Sequence, residues 1–362
     1  MAVETLGRPT DDGVSTHPMS LESTMTLTTE ASAAAAVSPT PVGPPPPFDA
    51  ELAPALRIIN ELMPPMGHDT LEVMRAGVPG FAPPDDQTLA RDGAFLVEER
   101  TVPGPAGAPD IVLLIFLPAA ATAPAPAIYH THGGGMVLGD NRMGIEEQLN
   151  LAQTIGAAVV SVEYRLAPEE PHPAPVEDCY AGLVWTAAHA DELNIDPDRI
   201  VIAGASAGGG LAAAVALLAR DRGGPALFGQ LLLCPMLDDR NDTPSAAQMA
   251  GLGVWTQADN DFGWDALLGA ARGTDGVSPY AAPARAADLS GLPPAFIDVG
   301  SAETFRDEDV AYASRIWQAG GRAELHVWPG GFHGFDMMAP DAAVSQDARA
   351  ARHAWLRRLF AL

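Results

Sequence analysis

The chain has 362 residues, 47% of them apolar, which is enough for a sizeable buried core and for one large domain or two ordinary ones. Its 46 acidic residues outnumber 20 basic ones, for a net charge of −26; that field repels nucleic acid and anionic membrane surfaces, so neither is an expected partner. It contains no lysine, which excludes a Ser-x-x-Lys mechanism, a pyridoxal-phosphate Schiff base and a Walker-type phosphate loop.

Residues 1–47 are rich in Ser, Thr, Ala and Pro, end in Pro44-Pro45-Pro46-Pro47 and show neither a helical nor a strand period, so disorder is expected there. They lack a basic stretch followed by an apolar core. No secretory signal is therefore expected, and the default compartment is the cytoplasm. Leu52, Leu56, Ile58, Ile59, Leu62 and Met63 then form a helical apolar stripe closed by Pro64-Pro65, and Thr70 to Arg75 predicts a second short helix.

From residue 94, short β-branched runs alternate with longer helical stretches. The pattern predicts strands at 94–101, 110–117, 126–131, 157–163, 199–204, 229–234, 294–299 and 322–327. It predicts helices at 144–155, 175–190, 206–221, 306–319 and 341–360. Such alternation argues for an α/β architecture, a mostly parallel eight-stranded sheet with helices on both faces. The most apolar run, Ile111 to Leu117, is stopped by Pro118 and falls far short of the about 20 residues that span a bilayer. Cys179 and Cys234 lie in apolar segments rather than at the loop spacings of a disulfide framework, and read as buried structural thiols. Between Pro235 and Gly291 the alternation gives way to polar turns and isolated aromatics (Trp255, Phe262, Trp264). That gap is too long for a simple connection and reads as an inserted helical element.

Three glycine-rich loops punctuate this pattern. Gly204-Ala205-Ser206-Ala207-Gly208 joins an apolar strand to a helix, a G-x-S-x-G turn that lifts a serine hydroxyl above the sheet edge. His132-Gly133-Gly134-Gly135 follows the strand ending at Thr131, and consecutive glycines there expose backbone N–H groups without side-chain obstruction. A phosphate loop is a weaker reading, because no G-K-[ST] follows. Pro329-Gly330-Gly331-Phe332-His333-Gly334-Phe335 sets a histidine in a loop after the last strand. In an acyl-transfer reading Ser206 is the nucleophile, His333 its base, and the N–H groups of Gly133, Gly134 and Ala207 the oxyanion hole.

These loops, with Tyr164-Arg165-Leu166-Ala167-Pro168-Glu169 and Phe305-Arg306-Asp307-Glu308, resemble the hormone-sensitive-lipase-like (bacterial family IV) carboxylesterases of the α/β-hydrolase fold. The resemblance runs from about residue 50 to the C-terminus. Ala205 stands where the family usually has an acidic residue before the nucleophile, and Met136 where an aromatic often follows the glycines. Aligned without gaps on Phe305-Arg306-Asp307-Glu308, the family's acid position falls on Glu303 instead of the usual Asp. Asp298 in the preceding strand and Asp307 at the following helix start are the rivals. The resemblance further implies a helical cap. The expected division is a disordered 1–47, cap segments at 48–93 and 239–274, and hydrolase core at 94–238 and 275–362.

His130 and His132 share a strand face but have no third ligand at metal spacing, and His130 reads as a structural histidine. The Glu163-to-Glu169 segment and Asp178 read as bracing. Met63, Met66, Met74, Trp255 and Trp264 are candidates to line an apolar substrate pocket, with plain core packing as the other reading. The expected function is a cofactor-free, metal-free serine carboxylesterase acting through an acyl-enzyme on small neutral, short-to-medium-chain esters. Amidase, lactonase or carbamate hydrolase with the same triad is the alternative, and a catalytically silent binding protein of the same fold a further one. Beyond the ester substrate, a homodimer is left open.

Overall fold

The computed structural model describes residues 42–77 and 84–362. Of the segment expected to be disordered, residues 1–41 lie outside the described residues, while 42–47 run as irregular chain in which Pro44 O accepts from Gln248 Nε2 at 3.1 Å.

Eight strands form one sheet: β1 (Phe95–Val102), β2 (Ile111–Pro118), β3 (Ala125–Thr131), β4 (Ala158–Glu163), β5 (Ile195–Ala205), β6 (Gly229–Leu233), β7 (Ala295–Gly300) and β8 (Ala323–Trp328). Their order is β1-β2-β4-β3-β5-β6-β7-β8. The first hairpin and the β2–β4 pair are antiparallel, and every pairing from β4 onward is parallel. Each strand predicted from the sequence is present within a few residues of its expected bounds. The parallel strands need crossovers, and the helices supply them: α4 (Ile145–Ile155), α5 (Ala174–Ala188), α6 (Ala207–Arg222), α9 (Arg306–Gln318) and, after β8, α11 (Ala343–Leu359).

Successive strand residues point to opposite faces, so the sheet divides the core in two. On one face Tyr129, Val160, Ile202, Leu232 and Ile297 pack against Leu183 of α5, Leu211 and Val215 of α6, and Tyr312 and Ile316 of α9. On the other, Ile128, Val159, Val201, Leu231 and Phe296 meet Leu149 of α4 and Trp355 and Leu356 of α11. Every residue of β3 is buried, His130 and Thr131 included, which is why no apolar–polar alternation marks this strand. The sheet presents the C-terminal ends of β3, β5, β6, β7 and β8 along one edge, where the loops that follow them gather.

Helices α1 (Ala53–Leu62) and α2 (His68–Arg75) precede the sheet, together with a short α3 (Asp86–Leu89) that the sequence reading missed. Between β6 and β7 the chain forms α7 (Pro244–Gln248) and α8 (Gln257–Leu268), the latter opened by a Thr256–Asp259 capping box. The segments are joined across 193 positions, where Met66 N donates to Asp259 Oδ1 at 2.8 Å, and His68 meets Phe262 edge-on at 5.1 Å. No described helix is long and apolar enough to cross a membrane.

Candidate active site

The turn after β5 forces Ser206 to φ 59° and ψ −125°, a conformation that L-residues rarely adopt. It persists because its surroundings fix it. Ser206 N donates to Leu233 O at 2.8 Å, and Ser206 O accepts from Gly210 N at 3.0 Å and Met236 N at 2.9 Å. The flanking glycines are sterically required. A Cβ on Gly204 would lie 2.2 Å from Gly208 O, and one on Gly208 2.1 Å from Thr131 O.

His333 sits in the loop after β8, and α10 (Phe335–Met338) follows it at once. Its Nε2 lies 2.9 Å from Ser206 Oγ and its Nδ1 3.0 Å from Glu303 Oε1, so hydroxyl, imidazole and carboxylate stand in series. Glu303 is buried in the turn between β7 and α9, and its other oxygen accepts from Gly300 N at 3.1 Å. The edge of His333 packs against Phe305 at 5.2 Å between ring centres. A hydroxyl hydrogen-bonded to a neutral imidazole passes its proton to Nε2 as it attacks. A carboxylate on Nδ1 fixes the tautomer that permits this.

The two rival acids lie elsewhere. Asp298 is inside β7, where it accepts from Arg352 Nε at 2.8 Å and Trp328 Nε1 at 3.2 Å. Burial raises its carboxyl above the ordinary range, although Arg352 opposes that shift. Asp307 is in the first turn of α9 and accepts from Ser245 N at 2.8 Å.

Gly133 passes close to the serine: a Cβ there would be 3.1 Å from Ala205 O and 3.7 Å from Ser206 Cβ. Among the described residues, the N–H groups of Gly133 and Gly134 donate to no backbone carbonyl or side chain, and Ala207 opens α6, so its N–H has no intrahelical acceptor. The loop is braced from below. Tyr164 OH donates to His132 O at 2.8 Å, and the two rings stack at 4.0 Å. His132 is buried and held neutral, its pKa lowered to about 4 by desolvation. His130 contacts Ser161 Oγ through Nδ1 at 2.9 Å and is pushed down to about 3 by burial and by His132. Arg165 forks onto buried Asp178, Nε to Oδ2 and Nη2 to Oδ1, both at 2.8 Å. These residues are supports, as their setting in the sequence suggested.

A cavity of about 280 Å³ opens at Ser206 and His333. Met63, Met143, Met337, Met338, Leu138 and Trp255 are among the apolar side chains that line it. Of the pocket candidates drawn from the sequence, Met63 and Trp255 line it. Trp264 does not: it is fully buried in α8 as core, while Met66 packs on the core and Met74 faces an adjoining cleft of about 1360 Å³ that shares Met63, Leu138, Met143 and Met337 with the cavity but does not include Ser206. The sequence reading missed Met337 and Met338, although they follow His333 by only a few residues, and it missed Cys234. Cys179 is fully buried, but Cys234 is half-buried and faces the cavity beside Glu303 and His333.

A family model described as alpha/beta hydrolase fold matches residues 128–337. The carboxylesterase NlhH of Mycobacterium tuberculosis is 36% identical over 305 residues, covering 81% of this chain and 92% of its own. The esterase LipI of the same organism is 37% identical over 249 residues, 66% of this chain and 74% of its own. Among solved structures, a bacterial heroin esterase superposes with a TM-score of 0.76 at 37% identity, covering 86% of this chain and 98% of its own.

Proposed function

We propose, for a chain that belongs to the hormone-sensitive-lipase-like family of α/β-hydrolases and is a carboxylic ester hydrolase, that Ser206, His333 and Glu303 perform its chemistry through an acyl-enzyme. The observation that carries this reading is the pair of contacts on one imidazole, 2.9 Å to Ser206 Oγ and 3.0 Å to Glu303 Oε1. Ser206 Oγ attacks the ester carbonyl carbon while its proton passes to His333 Nε2. The carbonyl oxygen becomes an oxyanion that accepts from the N–H groups of Gly133, Gly134 and Ala207. Collapse breaks the bond to the alcohol, which leaves with the proton from Nε2. Water then attacks the acyl-serine, gives a proton to the same nitrogen, and the acid departs as Ser206 regains its proton. Preorganised N–H donors of this kind are each worth about 3–4 kcal/mol in the transition state.

The preferred substrates are small, neutral, short-to-medium-chain esters. Support comes from the apolar wall of the cavity and from the pairing of the ionisable groups at its floor, where Arg352 is bonded to Asp298 and Asp336. Methionine side chains adapt to irregular shapes, so four of them favour breadth over one tightly fitted acyl group. Residues 48–93 and 239–274 act together as a cap over this cavity, a reading supported by the Met66–Asp259 bond and by Met63 and Trp255 in the cavity wall.

Ser206→Ala should lower kcat by about 10⁶, the loss seen when the nucleophile of another serine hydrolase is removed. Near-normal turnover in that variant would remove the assignment. A panel of p-nitrophenyl esters of rising chain length, with one matched anilide, tests the substrate class. Faster cleavage of the anilide than of its ester would overturn it.

A further inference from the structure

Cys234 follows β6 with φ 37°, and its N–H donates to Asp298 O at 2.7 Å, which fixes it against the strand that leads to Glu303. Its thiol, a carboxylate oxygen of Glu303 and a ring nitrogen of His333 all lie within 4.8 Å of one another. No step of ester hydrolysis uses this thiol. We propose that Cys234, Glu303 and His333 form a binding site for a borderline-soft divalent cation, Zn²⁺, whose occupation blocks the enzyme.

The donor set carries the choice of ion. One sulfur, one imidazole nitrogen and one carboxylate oxygen is a mixture that Zn²⁺ accepts and that Mg²⁺ or Ca²⁺, which demand several oxygens, do not. Tetrahedral bonds of ordinary Zn–S, Zn–N and Zn–O length put ligand atoms about 3.3–3.8 Å apart. His333 and Glu303 already stand 3.0 Å apart, and no pair of the three donor atoms is more than 4.8 Å apart, so the ligands need to close by about 1 Å. The charge around the thiol also suits a cation. Burial, followed by the carboxylates of Glu303, Asp298 and Asp336, holds the Cys234 thiol protonated until a cation offsets that charge, and the guanidinium beside them, Arg352, is bonded to two of those carboxylates. The cavity that reaches Ser206 also reaches all three ligands, so the ion has an entry path. Binding converts the thiol to thiolate and its proton leaves to solvent, with the fourth position open to water.

The site is a statement about three side chains; the inhibition rests on the proposed roles of His333 and Glu303. A metal on the imidazole nitrogen removes either the proton acceptor for Ser206 or the hydrogen bond to Glu303.

The test titrates Zn²⁺ against the wild-type chain, Cys234→Ser and Cys234→Ala, reading ester hydrolysis and heat of binding in parallel, with Mg²⁺ as control. The expected result is one Zn²⁺ bound per wild-type chain, turnover lost and restored by a chelator, and no effect of Mg²⁺. Inhibition of each variant is read relative to its own metal-free turnover, and the inhibition constant should rise at least about tenfold in both, no less than loss of an outer-shell partner costs. Equal inhibition of wild type and both variants overturns the site. Cysteine-dependent binding that leaves turnover intact supports the site and instead overturns the roles given to His333 and Glu303. If one variant folds poorly, the other decides, together with a Zn²⁺-induced rise in Tm expected for wild type alone; no such rise in wild type also overturns the site.

Discussion

Arg352 Nε donates to Asp298 Oδ2 at 2.8 Å, joining α11 to β7 across 54 positions of chain. The same guanidinium donates to Asp336, three residues past His333, and only 3% of its side chain is exposed. One buried cation thus holds together the strand that leads to Glu303 and the loop that carries His333. Removing one partner of a buried ion pair leaves uncompensated charge, at a cost of about 3–5 kcal/mol. Arg352→Met should therefore lose stability in that range, read as a lower urea midpoint. An unchanged midpoint would show that this cluster does not hold the fold. Asp298→Asn should likewise act mainly on stability, with turnover per folded molecule retained.

Glu303 and Asp307 are four residues apart and have separable roles. Glu303 touches His333 Nδ1, whereas Asp307 accepts from Ser245 N and from its neighbour Arg306. Glu303→Gln should lower kcat by about 10⁴ with an unchanged circular-dichroism spectrum, because the imidazole loses its tautomer control. Asp307→Asn should cost no more than about 0.3–1 kcal/mol of stability at the start of α9. The reverse ranking of the two kcat values would reassign the acid.

The parts of this molecule that were legible in the sequence are those fixed by short-range constraints. Gly204 and Gly208 are required by backbone contacts near 2 Å, so the elbow around Ser206 announces itself. A largely buried strand such as β2 leaves an unbroken apolar run. Pairings between distant positions leave no such mark. Nothing near Arg352 in the chain points to Asp298 or Asp336, and Cys234 reads as core until its strand end is seen beside Glu303. The methionines of the cavity wall were equally opaque, since a Met that lines a cavity and one that fills a core have the same local pattern: Met63 proved to line it, Met66 to pack on the core.

Tyr164 shows how the glycine loop is held at the right height. Its hydroxyl is 2.8 Å from His132 O and its ring stacks on the imidazole at 4.0 Å. Tyr164→Phe keeps the stacking and removes the hydrogen bond, worth about 0.5–1.5 kcal/mol. If that bond positions the N–H groups of Gly133 and Gly134, kcat should fall about three- to tenfold, since 1.4 kcal/mol corresponds to a factor of ten, while KM changes little. A rise in KM at constant kcat would assign Tyr164 to substrate binding instead.

Asp309 supplies a pH dependence whose sign is fixed by its setting. It is fully buried in α9, and neither carboxylate oxygen has a hydrogen-bond partner among the described residues. Desolvation, with the nearby carboxylates of Glu308, Glu303 and Asp298, raises its pKa well above the ordinary value in the folded chain. The folded state therefore holds this proton more tightly than the unfolded state does. The resulting stabilisation is complete below the unfolded carboxyl value near 3.8 and is lost as pH rises towards the raised folded value. Asp309→Asn has nearly the same shape and no proton to lose. Its urea midpoint should exceed that of wild type at pH 7–8, and the gap should shrink as pH is lowered towards 4. A gap that stays constant across this range, or a variant less stable at pH 8, would show that Asp309 is ionised and compensated in the fold.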